Sequence, residues 1–296
     1  RMADNSLFRI KIRLSEMLVH GIIYFCASLS IILLAGIMGY VGYRGISSVN
    51  FKFLVEVPST IKGTTGIAGN IVNTLYIIIL TLLIAIPLGV GAAIYLNEYA
   101  RPGRLVRLIE FTTETLSGIP SVVFGLFGYV FFGTTLKLGY SILAGALTLS
   151  LIILPLITRN TQEALKTVPE SYRTGALGIG ATKWHMIRTI LIPSAMPGII
   201  TGIILSVGRI VGESAALLFT AGSGYLLPKF GRYGEGLLKK ILQPGGTLTI
   251  ELFLSMEKAK YDTAFAIAFV LLVIVLGINL LTKYLSVRLN VDKKDT

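Results

Sequence analysis

The sequence predicts an all-α membrane protein with six transmembrane helices, and two observations carry this prediction. Only 14% of the 296 residues are charged, whereas about a quarter of the residues in soluble domains are charged. The mean hydropathy is +0.77, and the apolar residues are gathered into runs of about 20, the length at which an α-helix crosses the hydrocarbon core of a bilayer. The chain is therefore expected to cross a membrane several times.

Six apolar runs define the predicted spans. The first follows Arg9, Lys11 and Arg13, but it is too long for a signal peptide and no cleavage site follows it, so we expect it to stay as a membrane helix. The third run contains Pro120, and the fourth contains Pro155 near its end. In chain order, the spans are predicted at residues 18–42, 71–97, 112–134, 140–158, 194–221 and 263–285.

The spans imply one membrane domain, residues 18–285, between an N-terminal segment 1–17 and a C-terminal tail 286–296. Taken together, the two ends (residues 1–17 and 283–296) and the second and fourth connections hold 16 lysine and arginine residues, and the other connections hold 10. The positive-inside rule then places both termini in the cytoplasm. On this orientation the fourth connection, residues 159–193, is a cytoplasmic loop, and residues 222–262 are an outer segment.

The outer connections are longer than simple turns. Residues 43–69 form a loop rich in glycine, serine and threonine. In the outer segment, Leu237–Leu242 predicts a short helix, and the sequence Gln-Pro-Gly-Gly at 243–246 predicts a turn. The semi-apolar stretch Thr249–Met256 is expected to lie along the membrane surface.

The net charge of +12 has an ordinary explanation in a membrane protein. Basic residues in cytoplasmic loops face lipid headgroups, and no basic stripe with interleaved aromatic residues indicates nucleic-acid binding. Cys26 lies in an apolar run, so we expect a small buried core residue and not a disulfide. His20 and His185 have no partner at metal-ligand spacing, and no Walker lysine or nucleophile elbow is present. The sequence therefore predicts no metal site, catalytic centre or ATPase site in this chain.

Two charged residues interrupt the fifth apolar run. Arg209 and Glu213 are four residues apart, so on a continuous helix they share one face. A charge at the centre of a membrane helix costs about 2.5–3.5 kcal/mol on insertion scales, so this face is expected to point into the bundle. One interpretation is a hydrated path for an anion, which Ser214 would also line. The other is a structural ion pair between packed helices.

A second candidate for the path is the sequence Ser-Gly-Ile-Pro-Ser, residues 117–121, in the third run. Pro120 breaks the backbone hydrogen bonding of a helix, and freed groups inside a membrane are tolerated where they line a cavity or pack on a neighbour. The hydroxyls of Ser117 and Ser121 are suited to contact an oxyanion. A kink lined by small residues for close helix packing is the alternative.

The cytoplasmic loop 159–193 predicts two short helices separated by glycine. Pro169 and Glu170 suit the start of the first helix, and Gly178 and Gly180 suit its end. Thr182 is a candidate cap for a second helix that runs to residue 192. Such a loop is suited either to dock a soluble partner or to lie on the lipid headgroups.

This loop resembles the cytoplasmic "EAA" loop of permease subunits of bacterial and archaeal ABC importers. Gly180 stands at the family's glycine, and after nine residues Ile-Leu-Ile-Pro, residues 190–193, matches its Ile-x-Leu-Pro. Thr174, Gly175 and Ala176 stand where the family has Glu-Ala-Ala, so the glutamate of the family pattern is absent here. The stretches that resemble PstA-type phosphate-importer permeases are 85–100, 116–126 and 208–221.

The resemblance implies a type I ABC importer permease in a prokaryotic cell (inner) membrane, moving phosphate inward. It implies a PstC-like second permease, two PstB-like ATP-binding subunits and a PstS-like extracytoplasmic phosphate-binding protein; ATP and magnesium would be bound by the partner ATPase, and no cofactor by this chain. The substrate path would hold Arg209, Glu213, Ser214, Ser117 and Ser121. ATPase coupling would use Glu170, Arg173, Thr174, Gly175, Ala176 and Gly180.

Three alternatives to a phosphate importer stay open. An ABC permease for another oxyanion, such as sulfate, molybdate or tungstate, would share the loop. An ion-coupled carrier or a membrane scaffold without transport activity would share the spans. Because Arg209 and Glu213 lie in the span that directly follows the cytoplasmic loop, they are as suited to a moving gate as to a static binding site.

Overall fold

The computed structural model describes residues 14–58, 65–101, 103–227 and 236–291. Most of the predicted N-terminal segment, the end of the predicted tail and parts of both outer connections lie outside these ranges. Within them the chain is helical, with no β-strand among the described residues.

Thirteen α-helices, some of which continue as π-helical segments, form the described part of the chain. The α-helices are α1 (Leu14–Ile46), α2 (Phe51–Val55), α3 (Ala68–Ile94), α4 (Arg104–Gly118), α5 (Ser121–Gly128), α6 (Ile142–Lys166), α7 (Glu170–Gly178), α8 (Lys183–Met186), α9 (Ile192–Gly212), α10 (Ala215–Thr220), α11 (Leu237–Ile241), α12 (Leu248–Glu257) and α13 (Tyr261–Val291). The π-helical segments are Tyr95–Tyr99 after α3, Tyr129–Thr135 after α5 and Ile187–Leu191 between α8 and α9.

Five of the six predicted spans are confirmed as apolar helices long enough to cross a membrane, and the third lies in a bent helix pair. The five helices long and apolar enough to cross a membrane are Leu18–Ile46, Ala68–Tyr99, Ile142–Lys166, Lys183–Gly212 and Tyr261–Tyr284. The predicted third span is the pair α4 and α5, which meet at an angle of 101°. Ile119, the residue before Pro120, is extended (φ −73°, ψ 132°) because the proline ring disfavours the helical conformation there.

Helix α6 is the centre of the bundle and α1 its edge. In the most apolar window of α6, 67% of the residues are buried, against none in that of α1. Helix α3 approaches α6 closely where Gly89 faces Ile157, and α9 does so where Gly198 faces Ala164. Small residues permit this close packing of membrane helices.

Helix α1 packs mainly on α13, through Gly45 against Phe265 and through the edge-to-face rings of Tyr40 and Phe265. The rest of α1 exposes apolar side chains, among which Cys26 is also exposed. The prediction of a buried core position for Cys26 is wrong, because apolar residues of a membrane span can face lipid as readily as protein.

Buried amides fasten the outer segment to α3. Asn70 Nδ2 donates to Gly246 O at 3.1 Å, and Asn73 Nδ2 donates to Gly224 O at 2.9 Å and Gly246 O at 3.2 Å. The next helix, α12, places Leu248 and Ile250 in the core, where they are 0% and 1% exposed. The prediction that Thr249–Met256 lies along the membrane surface stays a prediction, since Phe253 and Met256 in this stretch are 49% and 45% exposed. The short helix α11 is confirmed.

Candidate transport path and coupling loop

The predicted fifth span is broken at Glu213. Helix α9 ends at Gly212, and Glu213 is extended (φ −80°, ψ 123°). Its carboxylate Oε1 accepts a hydrogen bond from the N–H of Ala216 at 3.2 Å in the first turn of α10, and its carbonyl accepts one from the hydroxyl of Thr249 at 3.0 Å. These two bonds satisfy groups that the break leaves without a helical partner.

The expectation that Arg209 and Glu213 share a helix face is wrong, since the helix does not continue through both residues. None of the ion pairs found among the described residues includes Arg209. Its side chain lies exposed in the last turn of α9, where the helix dipole favours a cation. Glu213 is instead half-buried at the start of α10.

The second half of this span, α10, packs against α5. A Cβ atom on Gly125 would lie 2.8 Å from the Cα of Ala216, so the two helices are in close backbone contact. Ser214 is the half-buried residue just before α10. The two discontinuous spans of the chain thus pack on each other, and discontinuous membrane helices are where transporters form substrate sites.

The two predicted serines of the third span lie on either side of its break. Ser121 begins α5 and is half-buried. Ser117, near the end of α4, donates to Thr113 O at 3.0 Å and lines a cleft of about 310 Å³. The residues lining this cleft are Leu96, Glu110, Thr113, Glu114, Ser117, Arg159, Gln162, Glu163 and Lys166. Arg209 is not among them, so Ser117 and Arg209 do not share this cleft.

Helix α7 lies in the loop between α6 and α9, and it is the helix that the sequence predicts to begin at Glu170. Thr174 and Gly175 are exposed on it, and the Glu170 side chain is 75% exposed. Ala176 is 4% exposed and packs in a core cluster with Leu165 and Met186. Of the predicted coupling residues on α7, those three are therefore accessible to a partner, and Ala176 faces the body of the protein.

Arg173 also faces the body of the protein. Its Nη2 and Nε donate to Glu98 Oε1 at 3.0 and 3.3 Å, in the π-helical segment that continues α3. The two side chains are 13% and 5% exposed. The sequence did not indicate this pair, because Glu98 looks like an ordinary charge at the end of a span and lies 75 residues from Arg173.

A glycine turn reverses the chain between α7 and α8. Gly180 has φ +88°, a left-handed conformation that favours glycine, and its missing Cβ would meet nothing within 4 Å. Thr182 caps α8 by accepting the N–H of His185 at 3.3 Å, as predicted. The predicted second helix does not stop at residue 192, since α8 continues through the π-helical segment into α9.

Large apolar side chains are exposed around this turn. Ile179 is 88% exposed, Trp184 58% and Tyr172 50%. Exposed apolar residues on a polar loop mark a surface for a partner or for lipid.

Comparison with protein families decides the class of protein. Residues 85–291 match the family described as "Binding-protein-dependent transport system inner membrane component". The chain belongs to this family. It is a multi-pass membrane protein and a permease subunit of an ABC importer. Its resemblance to PstA-type permeases is confirmed by the family and by curated relatives that carry the PstA name.

Two curated relatives are informative. The "Probable ABC transporter permease protein YqgI" of Bacillus subtilis (strain 168) is 36% identical over 281 residues, which cover 93% of this chain and 96% of the relative. The "Phosphate transport system permease protein PstA" of Yersinia pestis is 38% identical over 180 residues, which cover 61% of this chain and 60% of the relative.

Solved structures agree on the fold. A chain of the bacterial alginate ABC transporter, solved in complex with an alginate pentasaccharide-bound periplasmic protein, has a TM-score of 0.64 and 17% identity. The match covers 93% of this chain and 94% of that chain. The predicted all-α ABC importer permease fold is thus confirmed.

Proposed function

We propose that this permease moves inorganic phosphate inward as the PstA-type subunit of an ATP-driven importer. Its partners would be a PstC-like second permease, two PstB-like ATP-binding subunits and a PstS-like binding protein. ATP and magnesium would be held by the ATP-binding subunits. Both termini would lie in the cytoplasm, so that the loop containing α7 faces those subunits.

The observation that carries the substrate class is Arg209. An arginine on a membrane-spanning helix is costly to expose to lipid, so the surface around it must meet protein or water. Arg209 is exposed in the isolated chain and is not neutralised by a carboxylate among the described residues. A guanidinium in this situation suits an anion, because its parallel donors bind two phosphate oxygens at once.

The PstA name among the relatives supports phosphate as the anion. The broken span supports a path at this position. Glu213 and Thr249 satisfy groups that the break frees near Arg209, so the break is a maintained feature of the bundle. In the assembled importer, the exposed face of α9 would meet the second permease across the path.

The test is phosphate uptake into proteoliposomes that contain the full complex and ATP. Arg209→Gln removes the charge-assisted bonds, each worth about 1.5–3 kcal/mol, so uptake is expected to fall about tenfold or more. Arg209→Lys keeps the charge without the paired donors and should retain part of the activity. Arg101→Gln, which removes an exposed arginine from an inner connection, is the matched control. Undiminished uptake by a normally assembled Arg209→Gln complex would contradict the assignment.

A further inference from the structure

The inner end of α3 is joined to α7 by a buried ion pair. Glu98 Oε1 accepts both bonds from Arg173, and it also accepts Asn97 Nδ2 at 2.6 Å. Buried pairs of this kind are screened little by solvent, and removing one member leaves an uncompensated charge. The contact therefore fixes α7 relative to α3.

The same guanidinium also holds the end of α6. Arg173 Nη2 donates to Leu165 O and Nη1 donates to Val168 O, both at 3.0 Å. These carbonyls belong to the last turn of α6 and the connection after it, where the helix leaves acceptors without intrahelical donors. One side chain thus links three elements: α3, α6 and α7.

The other ion pairs found in the described ranges are different in kind. Arg159 pairs with Glu114 and Glu163 through side chains that are 63–74% exposed, and Arg173 also pairs with Glu170, whose side chain is 75% exposed. Exposed pairs contribute about 0–1 kcal/mol and are screened by salt. The Glu98 contact is the one among them in which both side chains are largely buried, with Arg173 13% and Glu98 5% exposed.

The loop has a second arm, α8, on the other side of the Gly180 turn from α7, and it also contacts the segment that contains Glu98. Lys183, at the start of α8, lies with Nζ 5.0 Å from the ring centroid of Tyr99, the residue after Glu98. Both arms that flank the Gly180 turn therefore contact the π-helical segment Tyr95–Tyr99. A force on the exposed face of α7 has a direct route to α3 through these contacts.

We propose that Arg173 is a positioning residue that makes α7 and the inner ends of α3 and α6 move as one rigid body, the coupling strut. This proposal rests on the proposed function in one respect only, namely that an ATPase pushes on this loop. Arg173 itself does not contact the ATPase; it transmits to the spans a push received by the exposed residues of α7.

The first test measures coupling in the reconstituted complex. Glu98→Gln removes the carboxylate charge of Glu98 but leaves Arg173 its carbonyl contacts and its ion pair with Glu170, so folding is expected to persist. ATP hydrolysis should remain near the wild-type rate, while phosphate uptake per ATP falls about tenfold. The double variant Glu98→Gln/Arg173→Gln, which leaves no lone buried charge, should show a similar ratio, and Arg101→Gln should keep the wild-type ratio. The proposal would be overturned if the single and the double variant both kept the wild-type ratio of phosphate uptake to ATP hydrolysis. It would also be overturned if uptake and hydrolysis fell together, in proportion to the amount of assembled complex.

The second test does not depend on the substrate. Spin labels are placed on the exposed residues Ser171 of α7 and Leu88 of α3, after Cys26→Ser removes the native thiol. The distance between the labels should be the same with and without trapped ATP, and should become nucleotide-dependent in Glu98→Gln. A distance that changes with ATP while the pair is intact would overturn the strut. Absence of phosphate uptake by the wild-type complex would instead count against the proposed function and leave this measurement standing.

Discussion

Glu213 shows how one residue can have a different role from the one that its spacing indicates. Its distance in sequence from Arg209 suggests a paired charge, yet its carboxylate accepts the N–H of Ala216 and its carbonyl accepts the hydroxyl of Thr249. Glu213 thereby stabilises the break between α9 and α10. Arg209 is left without a carboxylate partner among the described residues at the end of α9, which supports the proposal that it lies on the substrate path.

At the same scale, Gly180 leads to a prediction about backbone conformation. Gly180 has φ +88° and open space around it, so a side chain at this position would strain the backbone without clashing with a neighbouring atom. Asparagine adopts left-handed conformations more readily than a β-branched residue does. Gly180→Asn should therefore keep the loop folded, whereas Gly180→Val should lower the amount of ATP-binding subunit that copurifies with the permease. Equal recovery with both variants would show that the turn does not need this conformation.

Among the elements, the contact of α5 with α6 depends on Gly128. A Cβ atom at this position would overlap the hydroxyl of Thr148 and lie 2.9 Å from a methyl group of Thr220. The neighbouring helices would have to move apart, and overpacking of this kind costs about 1–3 kcal/mol. Gly128→Ala is therefore expected to lower the melting temperature of the purified complex.

The control for this prediction is Gly91→Ala in α3, because nothing lies within 4 Å of a Cβ there. Alanine is the better helix former in open space, so the melting temperature should stay the same or rise. A fall in both variants would mean that close packing at Gly128 is not the cause.

The elements differ in how far the sequence predicts them. Hydropathy is a local property, so it located the five long apolar helices and the bent pair of α4 and α5, and Pro120 marked the break within that pair. The ends of α7 and the cap at Thr182 followed from proline, glycine and threonine at fixed offsets. The break at Glu213 was missed because the donor to its carbonyl, Thr249, comes from 36 residues away.

Long-range pairing limited the prediction of the candidate site in the same way. Arg173 belongs to a loop that was correctly placed, but its orientation depends on Glu98, 75 residues earlier. Ser117 and Arg209 were assigned to one path from their residue types, and the structure places Ser117 in a cleft that Arg209 does not line. Residue chemistry predicted candidates, and only the packed bundle distinguishes between them.

At the scale of the whole molecule, the fold connects the loop that is proposed to receive the push of the ATPase with the proposed substrate path. The exposed face of α7 lies on one side of the buried contacts of Arg173, and the spans α3 and α6 lie on the other. Helix α9 continues without interruption from the loop to the residues next to the break at Glu213. A movement of the loop would therefore reach the surroundings of Arg209 through continuous helix.

The central claim is that this permease belongs to an ATP-driven phosphate importer. Its most direct test is ATP hydrolysis by the purified complex with its binding protein, measured separately with phosphate, sulfate, molybdate and tungstate. Phosphate is predicted to stimulate hydrolysis and the other three anions are predicted not to. Stimulation by another anion without stimulation by phosphate, or uptake driven by an ion gradient with no ATPase in the purified complex, would contradict the account.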